Sequence, residues 1–341
     1  MKRDHRTEGW VVPAGRHAPG TLPRQPPPRQ PHAAPARRFG AGVLCAGLAA
    51  AVAIAVYRLL ERSRVTVPEH RQEPDHVGAA RYLGGAAAIL SFSVLTDSAL
   101  EHYRGAYHNP AMYLPPVVAG ASLANSLGMI LRPAHFGVAK TALCGLALAT
   151  GVGGFGFHLY YIGKREGGFD LLNLFYAAPL GAPMAMTLTG LAGLAGSHLL
   201  PEGKDQEAAT LFGRPAGKVV GAGAAVGLVG TVGEAALLHF RGAFHNPFML
   251  LPVTLPPITA VALAIATLRP GLYRWARFLL QATAVMGVGG VGFHAYGVHR
   301  NMGGFYNWSQ NLLNGPPLPA PPSFTGVALA GLAAVKLMEA A

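Results

Sequence analysis

Two nearly identical nine-residue segments hold the side chains of this sequence that are best suited to chemistry. Residues 102–110 read HYRGAYHNP and residues 239–247 read HFRGAFHNP, so seven of nine positions are identical. In each copy an acid lies five residues before the first histidine, and a further histidine ends a glycine-rich run, GVGGFGFH or GVGGVGFH. The recurring imidazole and carboxylate side chains are Asp97, His102, His108 and His158 in the first copy and Glu234, His239, His245 and His294 in the second.

Three imidazoles and one carboxylate form a ligand set that suits a borderline transition metal. Iron, zinc, copper and manganese all bind such nitrogen and oxygen donors. The sequence therefore predicts a transition metal site in each copy, with oxidoreductase-like chemistry or with Asp97 or Glu234 as general base on a metal-bound water. On a regular helix Asp97 and His102 are about 140° apart. Their convergence requires a π-bulge or unwinding before Gly105, or a carboxylate that orients a histidine without touching the metal.

The sequence is also compatible with two other classes of function. His102 with His158, and His239 with His294, are also candidate axial ligand pairs of two b haems, which would make the protein a cytochrome b type membrane electron carrier. The glycines before His158 and His294 are typical of close helix packing in a membrane, and a flat macrocycle against the same bare face is the alternative. The third reading is an ion- or proton-coupled transporter without metal, in which the intramembrane acids act as relays.

The rest of each segment predicts a tight turn between two helices. The residues that shape it are Gly105, Asn109 and Pro110, and at the matching positions Gly242, Asn246 and Pro247. The glycine suits a left-handed residue that ends a helix, and the Asn-Pro pair is typical of an N-cap and the first position of the next helix. Arg104 and Arg241 lie beside the histidines. They predict an anion- or cofactor-binding role, for example toward a haem propionate, or side chains that reach the membrane surface.

The elements that carry these residues are predicted to be membrane helices. Of 341 residues 51% are hydrophobic and 12% are charged. The uncharged runs are long enough for a hydrocarbon core of about 30 Å, which takes roughly 20 helical residues. Backbone groups in lipid must be bonded within the segment, and the alternation typical of a barrel is not present in the sequence. The net charge is +12, and the basic residues lie between the apolar runs and in a proline-rich tail. This distribution is typical of the loops of a membrane protein, so it does not indicate a nucleic-acid partner.

The two segments belong to a long internal repeat. Residues 79–199 align with residues 217–341, and the agreement falls in several separated blocks. Each copy contains four apolar runs, and an even number of crossings makes the copies parallel. We expect an all-α integral membrane protein with two parallel tandem four-helix transmembrane modules and one N-terminal anchor helix, about nine spans in all.

The remaining segments are predicted to connect or precede these modules. Residues 1–38 are basic and proline-rich, which predicts a disordered tail. Residues 39–60 are the expected anchor helix, residues 61–78 a polar connector, and residues 200–216 the linker between the modules. Cys45 and Cys144 lie in apolar runs without a CxxC spacing, so neither a disulfide framework nor a zinc knuckle is expected.

The distribution of Lys and Arg predicts the orientation. Apart from the tail, the side with the HNP and GGF loops carries fewer basic residues than the opposite side, and the positive-inside rule places it outside. The basic tail would lie on the side with the HNP and GGF loops, and its positive charges argue for the reverse orientation. We expect a multi-pass protein of the cell (inner) membrane with exterior or periplasmic motif loops. Its expected partners are membrane lipid and a redox partner protein on the exterior side.

Overall fold

The structure, a computed structural model, describes residues 75–133, 136–200 and 210–341, which are almost entirely helical. The α-helices are α1 (Asp75–Arg104), α2 (Leu114–Leu131), α3 (Val138–Gly163), α4 (Leu171–Tyr176), α5 (Gly181–Leu199), α6 (Ala216–Arg241), α7 (Leu255–Ala266), α8 (Tyr273–Arg300), α9 (Trp308–Asn311) and α10 (Pro322–Glu339). Short 3₁₀ segments are Pro110–Tyr113, Pro247–Val253, Pro270–Leu272 and Gly304–Tyr306. An antiparallel pair of two-residue strands, β1 (Thr210–Leu211) and β2 (Arg214–Pro215), precedes α6.

Six helices in the described ranges are long and apolar enough to cross a membrane. They are α1, α3 and α6, together with α2, α7 and α8 joined to the 3₁₀ segments before them. Large apolar side chains point outward from them, as at Val117 and Val261, because lipid takes the place of water around the bundle. This is the architecture of an all-α, multi-pass membrane protein.

The sequence also predicts α5 and α10 as spans, but these two helices are not among the six. Both are rich in Gly and Ala, the small residues that allow helix backbones to approach one another. Packing against α1, α6 and α8 buries most of α10, so protein contacts rather than lipid set its composition. The tail, the anchor helix, the connector up to residue 74 and residues 201–209 of the linker lie outside the described residues. The count of nine spans therefore stays a prediction.

The helices pack into two four-membered rings. In ring 1, α1 packs against α2, α2 against α3, α3 against α5, and α5 against α1. In ring 2, α6, α7, α8 and α10 pack in the same cyclic order. It follows that α1 and α3 occupy opposite corners of ring 1, and α6 and α8 occupy opposite corners of ring 2.

The two rings meet chiefly where α1 packs against α10. Gly326 permits this contact, because a Cβ at that position would lie 2.7 Å from Leu90 Cγ. Ser93 donates a hydrogen bond to the carbonyl of Pro319, and its hydroxyl lies 3.0 Å from that of Ser323. Small residues and hydrogen bonds are the main attractions between helices in lipid, where burying an apolar side chain gains little.

Candidate functional site

Two histidines approach each other across ring 1. His102 lies in the last turn of α1 and His158 lies in α3, so they come from opposite corners. Their side chains are close enough to interact electrostatically. His102 Nδ1 is 2.5 Å from the carbonyl oxygen of Met112, and His158 Nδ1 bonds the carbonyl oxygen of Pro179.

Ring 2 contains a second pair with the same contacts. His239 in α6 and His294 in α8 interact electrostatically across the ring. His239 Nδ1 is 2.7 Å from the carbonyl oxygen of Met249, and His294 Nδ1 is 2.6 Å from that of Pro317. Each of the four histidines is therefore held by a backbone carbonyl from a different part of its own ring.

These hydrogen bonds fix the chemistry of the four imidazoles. A carbonyl oxygen can only accept, so each Nδ1 must carry the proton and donate it. In the neutral ring the lone pair is then on Nε2, which makes no hydrogen bond to any described residue. An Nδ1–H bond to a carbonyl is how proteins orient a histidine that binds a metal through Nε2. The site thus presents two pairs of available imidazole nitrogens.

The turn after each first histidine has an unusual backbone. Ala106 and Tyr107 have φ of 55° and 46°, and Ala243 and Phe244 have φ of 56° and 47°. Left-handed conformations of residues other than glycine are uncommon and cost free energy. In the first turn, the N–H of Tyr107 bonds the carbonyl of His102 at 3.0 Å, which holds the strained residues in place.

The prediction that Gly105 and Gly242 take the left-handed conformation is wrong. Gly242 has φ −83°, and Gly105 is not among the positive-φ glycines. Both glycines instead leave room for a side chain, because a Cβ would lie 3.0 Å from the methyl carbon of Met112 or Met249. These methionines pack over the turn while their carbonyls bind the histidines, so glycine allows the close approach.

The Asn-Pro pairs begin the next helix. Asn109 is the N-cap of the Pro110–Tyr113 segment, and its side-chain oxygen accepts from the N–H of Ala111 at 3.0 Å. Asn246 caps the Pro247–Val253 segment through the N–H of Phe248, also at 3.0 Å. The caps satisfy backbone donors that have no partner inside the helix.

His108 and His245 do not join the histidine pairs. Both side chains are exposed, and each Nδ1 lies 3.0 Å from a carbonyl of its own turn, that of Gly105 or Gly242. Among the described residues, no group of three or more His, Cys, Asp or Glu side chains is close enough to hold a metal ion. The structure therefore brings together two of the three predicted histidines of each copy.

The two acids lie at the boundary between the rings. α1 is a regular α-helix through Arg104, so Asp97 and His102 stay on different faces. Asp97 interacts electrostatically with Glu101 on its own helix and with Glu234 on α6. The carboxyl group of Glu234 interacts with the backbone N–H of Gly181, where α5 begins, and a helix N-terminus favours negative charge.

Arg104 and Arg241 are engaged differently in the two copies. Arg104 Nη1 donates to both carboxylate oxygens of Glu101, at 2.7 and 2.8 Å. Arg241 lies over the ring of Tyr176 at 4.9 Å and interacts electrostatically with Glu234. An anion that bound Arg104 would have to displace Glu101, whereas Arg241 keeps a more open guanidinium.

Each motif also contacts the other copy. Tyr103 in α1 packs against Trp308 in α9, with ring centroids 6.1 Å apart. Phe240 in α6 packs against Phe175 in α4, with centroids 5.5 Å apart. The segment that follows the third helix of each ring therefore covers the motif of the other ring, and both histidine pairs lie at the same end of the molecule.

The glycine run before His158 serves helix packing. A Cβ at Gly151 would lie 2.3 Å from the backbone nitrogen of Thr187 in α5, and one at Gly154 would lie 3.5 Å from Pro183 Cβ. Gly153 has nothing within 4 Å, so the other face of α3 is bare. Close packing of α3 on α5 brings His158 to the carbonyl that precedes α5.

Sequence reasoning did not assign the groups that orient the histidines. These are the carbonyls of Met112, Met249, Pro179 and Pro317 and the rings of Tyr107 and Phe244, which pack edge-on against His102 and His239 at 6.0 and 6.2 Å. The repeat could have pointed to these residues, because each has the same or a similar residue at the matching position of the other copy.

Comparisons with protein families, with curated proteins and with solved structures give no match. The fold and the site together define a class: an all-α multi-pass membrane protein whose two helical rings each hold an oriented pair of histidines.

Proposed function

We propose that this protein is a membrane electron carrier that binds one haem b at each histidine pair. The observation that carries this proposal is the pairing of His102 with His158, and of His239 with His294, across their rings. All four imidazoles are oriented through Nδ1 and keep Nε2 available. Two such nitrogens are the complete protein ligand set of a six-coordinate haem, because the porphyrin supplies the other four.

The number of available ligands favours haem over a single metal ion. Structural zinc takes four protein ligands and catalytic zinc takes three, whereas the described residues offer no group of three. The third histidine of each copy is exposed and bonded to its own turn. A mononuclear iron, zinc, copper or manganese site would need that turn to rearrange, and its left-handed residues are already held by backbone hydrogen bonds.

The role of the chain is to hold the imidazoles in place. The Nδ1–H bonds to carbonyls prevent ring rotation and make Nε2 a stronger donor. Tyr107 and Phe244 add an edge-on aromatic contact to His102 and His239. Bound haem would supply a one-electron couple at its iron. Because both pairs lie at one end of the molecule, electrons would pass along one membrane face, toward a redox partner protein on that side.

The proposal extends to the membrane arrangement. We infer two parallel four-helix modules, formed by ring 1 and ring 2, with the anchor helix at residues 39–60 as a ninth crossing of a cell membrane. The matching histidine contacts in both rings support the repeat, since parallel copies present the same residues to the same face. The positive-inside rule then puts both histidine pairs near the exterior face.

The test is the visible spectrum of the protein purified in detergent from haem-supplemented cells, before and after dithionite. We expect a Soret band, sharpened α and β bands on reduction, and about two haems per chain. His158→Ala and His294→Ala should each leave about half of the haem, and the double variant should leave none. His108→Ala and His245→Ala are the matched controls, and they should keep both haems because these side chains lie outside the pairs.

Two results would overturn the haem assignment. A featureless visible spectrum with stoichiometric iron, zinc, copper or manganese by elemental analysis would favour the mononuclear metal site. A preparation with neither haem nor metal would favour a transporter in which Asp97 and Glu234 act as relays.

A further inference from the structure

Three hydroxyl groups deep in ring 1 have no hydrogen-bond partner. Ser91 in α1, Ser122 in α2 and Thr150 in α3 are 0%, 3% and 8% exposed, and their hydroxyl oxygens reach no partner among the described residues. We call these three residues the hydroxyl layer. Buried hydroxyls are normally bonded to protein or to ordered water, because an unbonded one has lost its water and gained nothing.

The hydroxyl layer lies at one depth in the membrane. At about 1.5 Å per residue, it is about 16 Å from His102 along α1 and about 12 Å from His158 along α3. Ser122 is about 15 Å from Met112 along α2 and the end of the 3₁₀ segment before it, and the carbonyl of Met112 binds His102. The histidines are near one end of their helices, so the layer is near the middle of a hydrocarbon core of about 30 Å.

The hydroxyl layer belongs to the inside of ring 1. An apolar cluster in the ring contains one or more residues of each helix, among them Val94, Val118 and Ala147. Each residue of the hydroxyl layer is three or four positions from one of these on the same helix, which puts it on the same helix face. The three residues of the hydroxyl layer therefore lie beside this apolar cluster on the helices of ring 1.

Further polar side chains extend the hydroxyl layer in both directions. Ser98, between the layer and His102, is buried and bonds its own helix at the carbonyl of Val94, 2.6 Å away. On the other side, Ser126 and Asn125 are buried, and the amide of Asn125 bonds the carbonyl of Lys140 at 3.0 Å. We call the hydroxyl layer together with Ser98, Asn125 and Ser126 the polar column.

Ring 2 is apolar at most of the matching positions. The counterparts of Ser91, Ser98, Ser122, Asn125, Ser126 and Thr150 are Leu228, Ala235, Thr259, Ala262, Leu263 and Met286. The one hydroxyl in this set is satisfied within the protein, because Thr259 Oγ1 lies 2.8 Å from Thr283 Oγ1 and 3.0 Å from the carbonyl of Leu255. The two rings thus share a motif and differ in their interiors.

We propose that ring 1, and not ring 2, binds internal water at the hydroxyl layer. Buried polar groups without a protein partner are normally bonded to ordered water, and the hydroxyl layer offers three such hydroxyls among the described residues. The consequence is that the interior of ring 1 is hydrated near the middle of the membrane, whereas the matching part of ring 2 is dry. This proposal is independent of which ligand the histidines bind.

Cysteine accessibility tests the hydration of each ring. In a Cys45→Ser, Cys144→Ala background, single cysteines replace Ser91, Ser122 or Thr150, and the matched controls are Leu228→Cys, Thr259→Cys and Met286→Cys. A small cationic methanethiosulfonate reagent reacts with thiols that water reaches. We expect reaction rates at least tenfold higher for the ring 1 variants than for their ring 2 controls. Equal rates in the two rings would overturn the proposal.

Radiolytic labelling tests the same proposal on the unsubstituted protein, where a misfolded variant cannot mislead. Hydroxyl radicals made from bound water by X-rays oxidise the side chains beside that water. Met186 lies in the apolar cluster inside ring 1 and is 1% exposed, whereas Met338 in α10 is 7% exposed. We expect Met186 to be oxidised at least tenfold faster than Met338 despite its deeper burial. If Met338 is oxidised as fast as Met186 or faster, the proposal of bound water at the hydroxyl layer is refuted.

Discussion

Replacing Gly151 with alanine is expected to push α3 away from α5. The new methyl carbon would lie 2.3 Å from the backbone nitrogen of Thr187, 2.5 Å from its Oγ1 and 2.8 Å from the carbonyl oxygen of Pro183. Ordinary contacts between such atoms are about 3.5–4.0 Å, so the helices must separate by about 1 Å. Two of the three atoms belong to the backbone of α5 and cannot rotate out of the way.

The expected loss of stability follows from two opposing terms. Overpacking of a well-packed interior costs about 1–3 kcal/mol. Alanine returns up to about 1 kcal/mol relative to glycine inside a helix. Because two of the clashing atoms are backbone atoms, the overpacking cost lies in the upper part of its range, at about 2–3 kcal/mol. The net loss is then about 1–2 kcal/mol, which at about 2–4 °C per kcal/mol lowers the melting temperature by about 2–8 °C.

Thermal unfolding of the detergent-purified protein, followed by size-exclusion fluorescence, measures this loss. Gly153→Ala is the matched control, because it adds the same methyl group to the same helix with nothing within 4 Å. It should melt at the same temperature as the unsubstituted protein or slightly higher. The haem content of ring 1 should also fall in Gly151→Ala, since moving α3 away from α5 weakens the bond from His158 to Pro179.

Ring 2 offers a second test of the same reasoning. A methyl carbon at Gly287 would lie 2.4 Å from Thr325 Oγ1 and 2.9 Å from the carbonyl oxygen of Pro321. Gly287→Ala should therefore be destabilised to a similar degree, and Gly289→Ala should not. If Gly151→Ala and Gly153→Ala melt at the same temperature, the close approach of α3 to α5 is refuted.

Three further results are expected. Asn109→Ala should lower the free energy of unfolding by about 0.5–2 kcal/mol through loss of the N-cap, with Asn109→Ser near the unsubstituted protein; equal losses in both variants would argue against capping. A double-mutant cycle with Thr259→Val and Thr283→Val should give a coupling energy of about 0.6–1.7 kcal/mol for their hydroxyl bond, and additive effects would contradict that bond. In sealed vesicles, His108→Cys and His245→Cys should react with an impermeant maleimide from the same side, because parallel modules expose both loops to one face; labelling from opposite sides would indicate inverted copies.

Much of the secondary structure follows from local signals. Long uncharged runs predict the membrane helices, because lipid leaves the backbone no other way to satisfy its hydrogen bonds. The Asn-Pro pairs predict the helix starts at Pro110 and Pro247, because capping involves only neighbouring residues. Composition is a weaker guide to whether α10 crosses the membrane, because most of the surface of this helix contacts protein and not lipid.

The turn after His102 shows where local reasoning fails. Glycine is the residue that most easily takes a left-handed conformation, which predicts that role for Gly105. In the structure Ala106 and Tyr107 take it instead, and Gly105 makes room for Met112. The contact with Met112 comes from the next helical segment, so it cannot be read from the turn itself.

The sequence by itself determined which residues recur and what chemistry they can do: paired sets of histidines, an acid in each copy, and a membrane setting. Only the tertiary structure decided which of them meet. It placed His102 and His158 within electrostatic range of each other on helices at opposite corners of a ring, and it placed Asp97 within electrostatic range of Glu234 on α6. The physical reason is that a residue's own helix fixes its angle and depth, whereas its partners depend on how separate helices pack. That packing is set by small residues and interhelical hydrogen bonds spread along the whole chain.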